Sequence, residues 1–279
     1  LPRAQCERWG QETLAAIDTG GYTNALGARV DWQAAVANAR ATKHSLPSDA
    51  PLPPAGPLRY PSTPVQVVNA MTLAVARRLA EVHQRVLVLN FANGIEPGGG
   101  FLQGNRAQES VLCRSSALYA TLQDDPMYAA HAKRPRPDST DWAILSPDVP
   151  IYRDDDGVPL EQPWTVSVLT CAAPYAPTLG VEVAADLMRS RIRRILAIAR
   201  SAGYPALVLG AWGCGTYGND PKRIAALFHA ALKEQAGAFA EVVFAIADWS
   251  TERAFLGPFS AEFEAGPEAV SDTATQQAE

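Results

Sequence analysis

Three short apolar runs constrain the fold of this chain more than any other feature: RVLVLNF (85–91), PALVLGAW (205–212) and EVVFAIAD (241–248). Each has the length of a strand, and the first carries charge only where it enters. Strands that are apolar throughout must be covered on both faces, as in a parallel or mixed sheet lying between helices. Helical periodicity falls where that cover is needed, at 70–83, 107–122, 181–202, 221–236 and around 250–265. VQVV (65–68) and WTVSVLTCAA (164–173) add two further strands. Strands alternating with helices predict an α/β fold. Two helices, 4–18 and 31–42, precede this core as an N-terminal extension.

The segments in between organise the chain. SLPSDAPLPPAGPLRYPSTP (45–64) is a proline-rich connector that excludes regular structure. From Pro126 to Gln162 the chain reads as irregular, with the basic run AKRPRPD and the acidic RDDDG as solvated surface. The tail from Gly266 has too little apolar content to pack and is predicted to be disordered. The expected organisation is therefore one domain over 1–265 and a disordered tail over 266–279.

Composition excludes several classes of function. The 279 residues are 47% hydrophobic, enough for a substantial core, and carry a formal net charge of −5 with both signs mixed along the chain. That balance argues against broad electrostatic capture of nucleic acid or of an anionic membrane. No apolar run approaches the roughly 20 residues of a membrane helix, and LPRAQCERWG lacks the apolar core of a secretion signal. Cys6, Cys113, Cys171 and Cys214 form no CxxC pair, and the four histidines form no HExxH. No metal site is predicted, and the thiols are expected to be reduced in a cytoplasmic protein.

Chemistry is concentrated in two glycine-rich loops at strand ends, where open α/β sheets bind ligands. GAWGCGTYGNDP, following the 205–212 strand, contains a literal GxGxxG from Gly213 to Gly218. A dinucleotide reading would take Asp248 as the ribose acid. It fails because the loop comes late in the chain and Asp248 lies about 30 residues past Gly218, where roughly 20 is expected. What survives is an anion seat: bare backbone N–H groups followed by a helix start capped by Asp220, with Pro221 in its first turn. The plainer alternative is a tight turn without a ligand.

NFANGIEPGGGFLQGNRAQESVLCRSS (90–116) follows the 85–91 strand. Gly98, Gly99 and Gly100 forfeit conformational entropy unless something must approach the backbone closely. Gln108 and Glu109 then stand at a helix start, where the dipole lowers the pKa of an acid unless burial raises it. Glu109 either belongs to a site or only stabilises its helix.

These segments together resemble the poly(ADP-ribose) glycohydrolases of the bacterial type. The resemblance lies in PGGGFLQGNRAQESVLCRSSALY, in VLNFAN before it, in VLTCAAPYAP (168–177) and in GAWGCGTYGNDP, and it runs from about residue 4 to residue 263. It implies a macrodomain fold, with ADP-ribose lying across the strand ends. Gly98, Gly99 and Gly100 would wrap the terminal ribose and a phosphate, and Asn93 would contact a ribose hydroxyl. Gly213, Cys214, Gly215, Thr216, Tyr217 and Gly218 would cradle the diphosphate, with Tyr217 packed on the terminal ribose. Gln108 and Glu109 match the first two residues of the family's Gln-Glu-Glu triplet.

Ser110 stands at the third position, which carries the family's catalytic acid. A serine hydroxyl has no accessible ionisation with which to protonate a departing ribose oxygen. Two readings follow. In the first the chain hydrolyses poly(ADP-ribose) to ADP-ribose, with Glu109 as acid and base. In the second it is an ADP-ribose-binding macrodomain with little or no turnover. The resemblance further implies no cofactor, no membrane and no sequence-specific nucleic-acid binding. It implies a monomer acting on poly(ADP-ribose) or ADP-ribosylated proteins, reversing ADP-ribosylation in the response to DNA damage.

Overall fold

Alternate residues of strand β5 (Val86–Ala92) enter two different cores. Leu87 and Leu89 pack on one face of the sheet, Val86 and Val88 on the other. The same split holds for β7 (Pro159–Ala172), β8 (Ala206–Leu209) and β9 (Glu241–Ala245). This two-sided burial is the physical reason why apolar residues occupy both alternating sets of positions in the runs. The computed structural model describes residues 1–51, 54–134 and 139–264.

The elements preceding β5 are α1 (Arg3–Asp18), β1 (Gly21–Thr23), β2 (Arg29–Asp31), α2 (Gln33–Ala41), β3 (His44–Leu46), β4 (Val65–Val68) and α3 (Thr72–Val82). After β5 come a 3₁₀ turn (Phe101–Gln103), α4 (Gln108–Ser115), α5 (Leu118–Leu122), α6 (Pro126–Ala132) and β6 (Ala143–Arg153). Helices α7 (Ala176–Leu179), α8 (Val181–Ser201), α9 (Pro221–Glu234) and α10 (Leu256–Glu264) complete the set among the described residues.

The main sheet has the order β3-β6-β7-β5-β8-β9-β4. Its five strands from β7 to β4 run parallel, and β6 and β3 join antiparallel. Helices α8, α9 and α10 bury Met188, Ile192, Phe228 and Phe259 on one face. On the other, α3, α4 and α5 bury Leu79, Leu112 and Leu118. The mixed sheet between helices expected from the resemblance is thus present. The carboxyl ends of β5, β7, β8 and β9 share one edge, and both glycine-rich loops leave from it.

The N-terminal extension has its own small core, in which Ile17, Tyr22, Val30, Trp32 and Val36 surround Tyr152 of β6. The Trp32 indole N–H donates to Ala16 O at 2.9 Å, which ties α2 to α1. Arg153, buried at the end of β6, donates to Trp9 O at 3.1 Å and pairs with Glu12 at 2.6 Å. These bonds fasten α1 to the sheet, with Gly10 against the 3₁₀ turn.

Residues 126–162 depart from the expected irregular segment, since α6, β6 and the first residues of β7 lie there. Two prolines, Pro147 and Pro150, and a left-handed Asp148 (φ 49°) interrupt the strand. The pairing register of β6 with β7 shifts between Ser146 and Val149, so the apolar alternation changes phase and hides the strand. The helix expected over 107–122 is two helices, broken where Ser116 turns extended and bridges to Ile151. The β1–β2 hairpin had no signal in the sequence, and β3 takes the first residues of the connector. Residues 266–279 and 135–138 of the basic run lie outside the described residues, as do 52 and 53 of the connector.

Gly10 tests the docking of α1. A Cβ added there would stand 2.6 Å from Phe101 O, a backbone atom of the 3₁₀ turn. Helix propensity alone favours alanine over glycine by about 1 kcal/mol. The steric conflict outweighs it, and Gly10→Ala is expected to lower the unfolding free energy by about 1–3 kcal/mol in urea titration.

Candidate active site

The site is organised by two neighbouring side chains in the first turn of α4. Gln108 is committed to the sheet: its Oε1 accepts from Phe91 N–H at 2.9 Å and its Nε2 donates to Leu89 O at 2.8 Å. Pairing of β5 with β8 ends at Val88, so the Gln108 amide continues the ladder as a neighbouring peptide would. This fixes the start of α4 against β5. Gln108, which matches the first residue of the Gln-Glu-Glu triplet, thus splices helix to sheet.

Glu109 is 2% exposed. Its Oε2 accepts from Asn93 N–H at 2.7 Å, and its Oε1 from Gly98 N–H at 3.3 Å and Asn90 Nδ2 at 3.4 Å. Burial raises its pKa from 4.5 to about 8, against the lowering effect of these donors. Desolvation therefore wins, and the carboxyl is largely protonated at neutral pH. The reason for bare backbone is visible here. Gly99, at φ 57°, lies over the carboxyl, and a Cβ on it would come within 2.6 Å of Glu109 Oε2. Glu109 itself makes the close approach that the glycines permit.

The rest of the first loop is tied down from several sides. Asn93 Oδ1 accepts from Ile95 N–H at 2.9 Å and Glu96 N–H at 3.0 Å, closing the turn after β5. A buried His131 ring nitrogen bonds Gly94 O at 2.8 Å. Gly98 and Gly100 are left-handed like Gly99, with φ of 79° and 75°.

The second loop follows β8 and leads into α9. Asp220 accepts from Lys222 N–H at 3.0 Å as the N-cap, with Pro221 in the first turn, as expected. Asn219 Nδ2 donates to Gly213 O at 3.0 Å and to Pro174 O at 3.0 Å, joining the loop to the segment after β7. Gly215, Thr216 and Gly218 are exposed along the rim. A Cβ on Gly215 would meet nothing within 4 Å, and its φ is not left-handed. Cys214 is different: burial pushes its thiol up to about 12, so it offers no nucleophile.

Tyr217 joins the two loops. The Gly94 backbone amide stands close enough to its hydroxyl to act against a raised pKa, and its ring meets Tyr175 edge-on at 5.7 Å. Burial raises its pKa, and the charge of Glu109 adds to that rise. Asn93, Gly98–Gly100 and Glu109 are thereby brought together with the 213–218 loop along one edge. Asp248 belongs elsewhere. Its carboxylate accepts from Ser250, Phe255 and Leu256, which hold its pKa down to about 2 and set the turn into α10.

Asn90, Asn105 and Thr170 escaped the sequence reading. Asn90 is fully buried and donates to Thr170 Oγ1 at 3.1 Å as well as to Glu109. Its signal was a lone amide inside the apolar run VLVLNF. Asn105 Nδ2 donates to Gly99 O at 2.9 Å, a contact made by loop closure that carries no local signature.

A mixed α/β sheet with a buried, protonated carboxyl under a glycine turn defines a hydrolase-like site at the strand ends. The family described as microbial-type PARG, catalytic domain, matches residues 10–154. Solved structures are similar over most of the chain. Poly(ADP-ribose) glycohydrolase from Thermomonospora curvata is 36% identical with a TM-score of 0.85, covering 93% of this chain and 100% of that one. The same enzyme bound to the inhibitor ADP-HPD has a TM-score of 0.84 at 36% identity, with the same coverage. The enzyme from Deinococcus radiodurans in complex with ADP-ribose is 35% identical with a TM-score of 0.72, covering 82% of this chain and 97% of that one. A comparison with curated protein sequences gives no match. The chain belongs to the microbial-type poly(ADP-ribose) glycohydrolase family.

The raised pKa of Glu109 has a sign for stability. A carboxyl that binds its proton more tightly when folded stabilises the fold fully below its unfolded value. That contribution is lost as pH rises through the folded value. Between about pH 4.5 and 8, the protein is expected to lose roughly 4 kcal/mol more than Glu109→Gln does. Urea titrations of both proteins across this range check it, and parallel pH curves would contradict the shift.

Proposed function

We propose that this hydrolase cleaves the ribose–ribose O-glycosidic bond of poly(ADP-ribose), releasing ADP-ribose, with Glu109 as acid and then base. The observation that carries the reading is the Glu109 carboxyl, with a pKa of about 8, beneath bare glycine backbone where two glycine-rich loops meet. The terminal ribose lies over Gly98–Gly100 beside Asn93, with Tyr217 packed on it. The diphosphate follows the exposed edge of Gly213–Gly218 toward the N-terminus of α9, where backbone N–H groups and the helix dipole favour an anion. Gln108 acts by holding Glu109 in register.

The proton inventory closes on one residue. Glu109 gives its proton to the departing ribose oxygen as the glycosidic C–O bond breaks, leaving an oxocarbenium-like centre. The resulting carboxylate takes a proton from water as the water oxygen forms the new C–O bond, which restores the acid. No other group need change charge.

Residues 1–265 form one catalytic unit in this reading, acting as a monomer on polymer carried by proteins. It reverses ADP-ribosylation in the cytoplasm during the response to DNA damage; four buried, unpaired cysteines suit a reducing compartment. Among the described residues, no helix is long and apolar enough to cross a membrane.

Ser110 favours a second reading, in which ADP-ribose is bound and turnover is slow, because its hydroxyl adds no second proton-transfer group. The readings separate by experiment. In the first, Glu109→Gln abolishes release of ADP-ribose from polymer while leaving ADP-ribose affinity within a few-fold. The alkaline limb of kcat/KM then falls near pH 8. In the second, parental turnover is feeble and Ser110→Glu raises it by about 10²-fold or more.

The diphosphate path has its own test in Gly215→Val. Since no protein atom opposes a side chain at Gly215, the variant is expected to keep its melting temperature. It should weaken ADP-ribose binding by roughly tenfold or more by obstructing backbone approach. Unchanged affinity by calorimetry would move the diphosphate away from this loop.

A further inference from the structure

We propose that Ser110 is a positioning residue that sets the conformation of the Gly98–Gly100 loop by holding its carbonyl edge. The inference rests on the reading of this loop as an ADP-ribose site, and gives Ser110 a task apart from acid–base chemistry. Ser110 has no exposed surface. Its hydroxyl donates to Gly99 O at 3.1 Å, with Gly98 O also within reach at 3.4 Å. Glu109, one residue earlier, accepts from Gly98 N–H at 3.3 Å. Two successive residues of one helical turn therefore grip opposite edges of the same loop, one as acceptor and one as donor.

Asn105 completes the grip from outside the helix. Its Nδ2 donates to Gly99 O at 2.9 Å, and its own N–H donates to Gly100 O at 3.2 Å. Gly98 O also receives Phe101 N–H at 3.1 Å. Each of the three glycine carbonyls is thus engaged. Among the described residues, no acceptor stands on the N–H of Gly100. A left-handed glycine turn held by its carbonyls in this way keeps a backbone donor for an anion or a sugar hydroxyl.

The grip matters because three glycines in sequence have an unusually large choice of conformations. Left free, the loop would have to be ordered at each binding event, and that cost would be subtracted from affinity. Ser110 and Asn105 order it beforehand. The two side chains share the Gly99 carbonyl, so the loss of either loosens the same turn.

Calorimetric titration with ADP-ribose, steady-state release of ADP-ribose from polymer, and amide exchange at residues 98–100 test this. Ser110→Ala is expected to raise Kd and KM about fivefold to tenfold, the usual worth of one hydrogen bond or slightly more. Exchange at the loop amides should accelerate. The pH profile of kcat should stay in place, because Glu109 keeps its own partners. Asn105→Ala, at an exposed position, should reproduce the rise in Kd, and decides the matter should Ser110→Ala fail to fold. Parental Kd and loop exchange in a folded Ser110→Ala, or in Asn105→Ala where Ser110→Ala does not fold, would overturn the positioning role and leave the function intact. A parent protein that does not bind ADP-ribose would overturn both.

Discussion

The burial of one carboxyl group is the constraint on which the rest of the site depends. Glu109 lies beneath Gly99, and three donors, Asn93 N–H, Gly98 N–H and Asn90 Nδ2, are too few to offset its desolvation. Taking an ionised carboxylate out of water costs more than a few neutral hydrogen bonds return, so the group keeps its proton. The helix start would by itself lower the pKa. The balance between these effects decides whether the residue is a spectator anion or an acid at neutral pH. Here it is an acid.

Holding such a group requires support from elements far apart in the chain. Gln108 locks the helix start onto β5 by replacing a neighbouring strand. The N-terminal helix α1 presses Gly10 against the 3₁₀ turn that directly follows the three glycines. Tyr217 reaches across from the second loop to the Gly94 backbone. The N-terminal extension thus braces the glycine loop from behind, with Arg3 Nε also donating to Gln103 O at 2.8 Å.

Ser110 shows how one turn of helix can divide its labour. Position 109 receives the N–H edge of the loop and position 110 feeds its carbonyl edge. A donor at position 110 suits the two carbonyls in front of it, whereas an ionised acceptor pointing the same way would meet their negative ends. A side chain that looks like a missing acid in the sequence is a satisfied donor in the fold.

Much of this was legible in the sequence. The strands at 85–91, 205–212 and 241–248 followed from apolar runs, and the helices at 181–202 and 221–236 from periodicity, because local pattern records burial on one face or two. Asp220 and Pro221 marked the start of α9 through purely local chemistry. The first loop was marked by its glycines and the acid nine residues on. The strand β6 was lost, because Pro147, Asp148 and Pro150 shift its register, and the β1–β2 hairpin left no pattern to read. The tasks of Gln108, Ser110 and Asn105 were equally hidden, since each depends on which backbone atoms the folded chain brings within about 3 Å. Whether Glu109 is charged belongs to the same category. Sequence places an acid at a helix start, but its protonation is set by desolvation, a property of the whole surrounding shell that exists only once distant segments have closed over it.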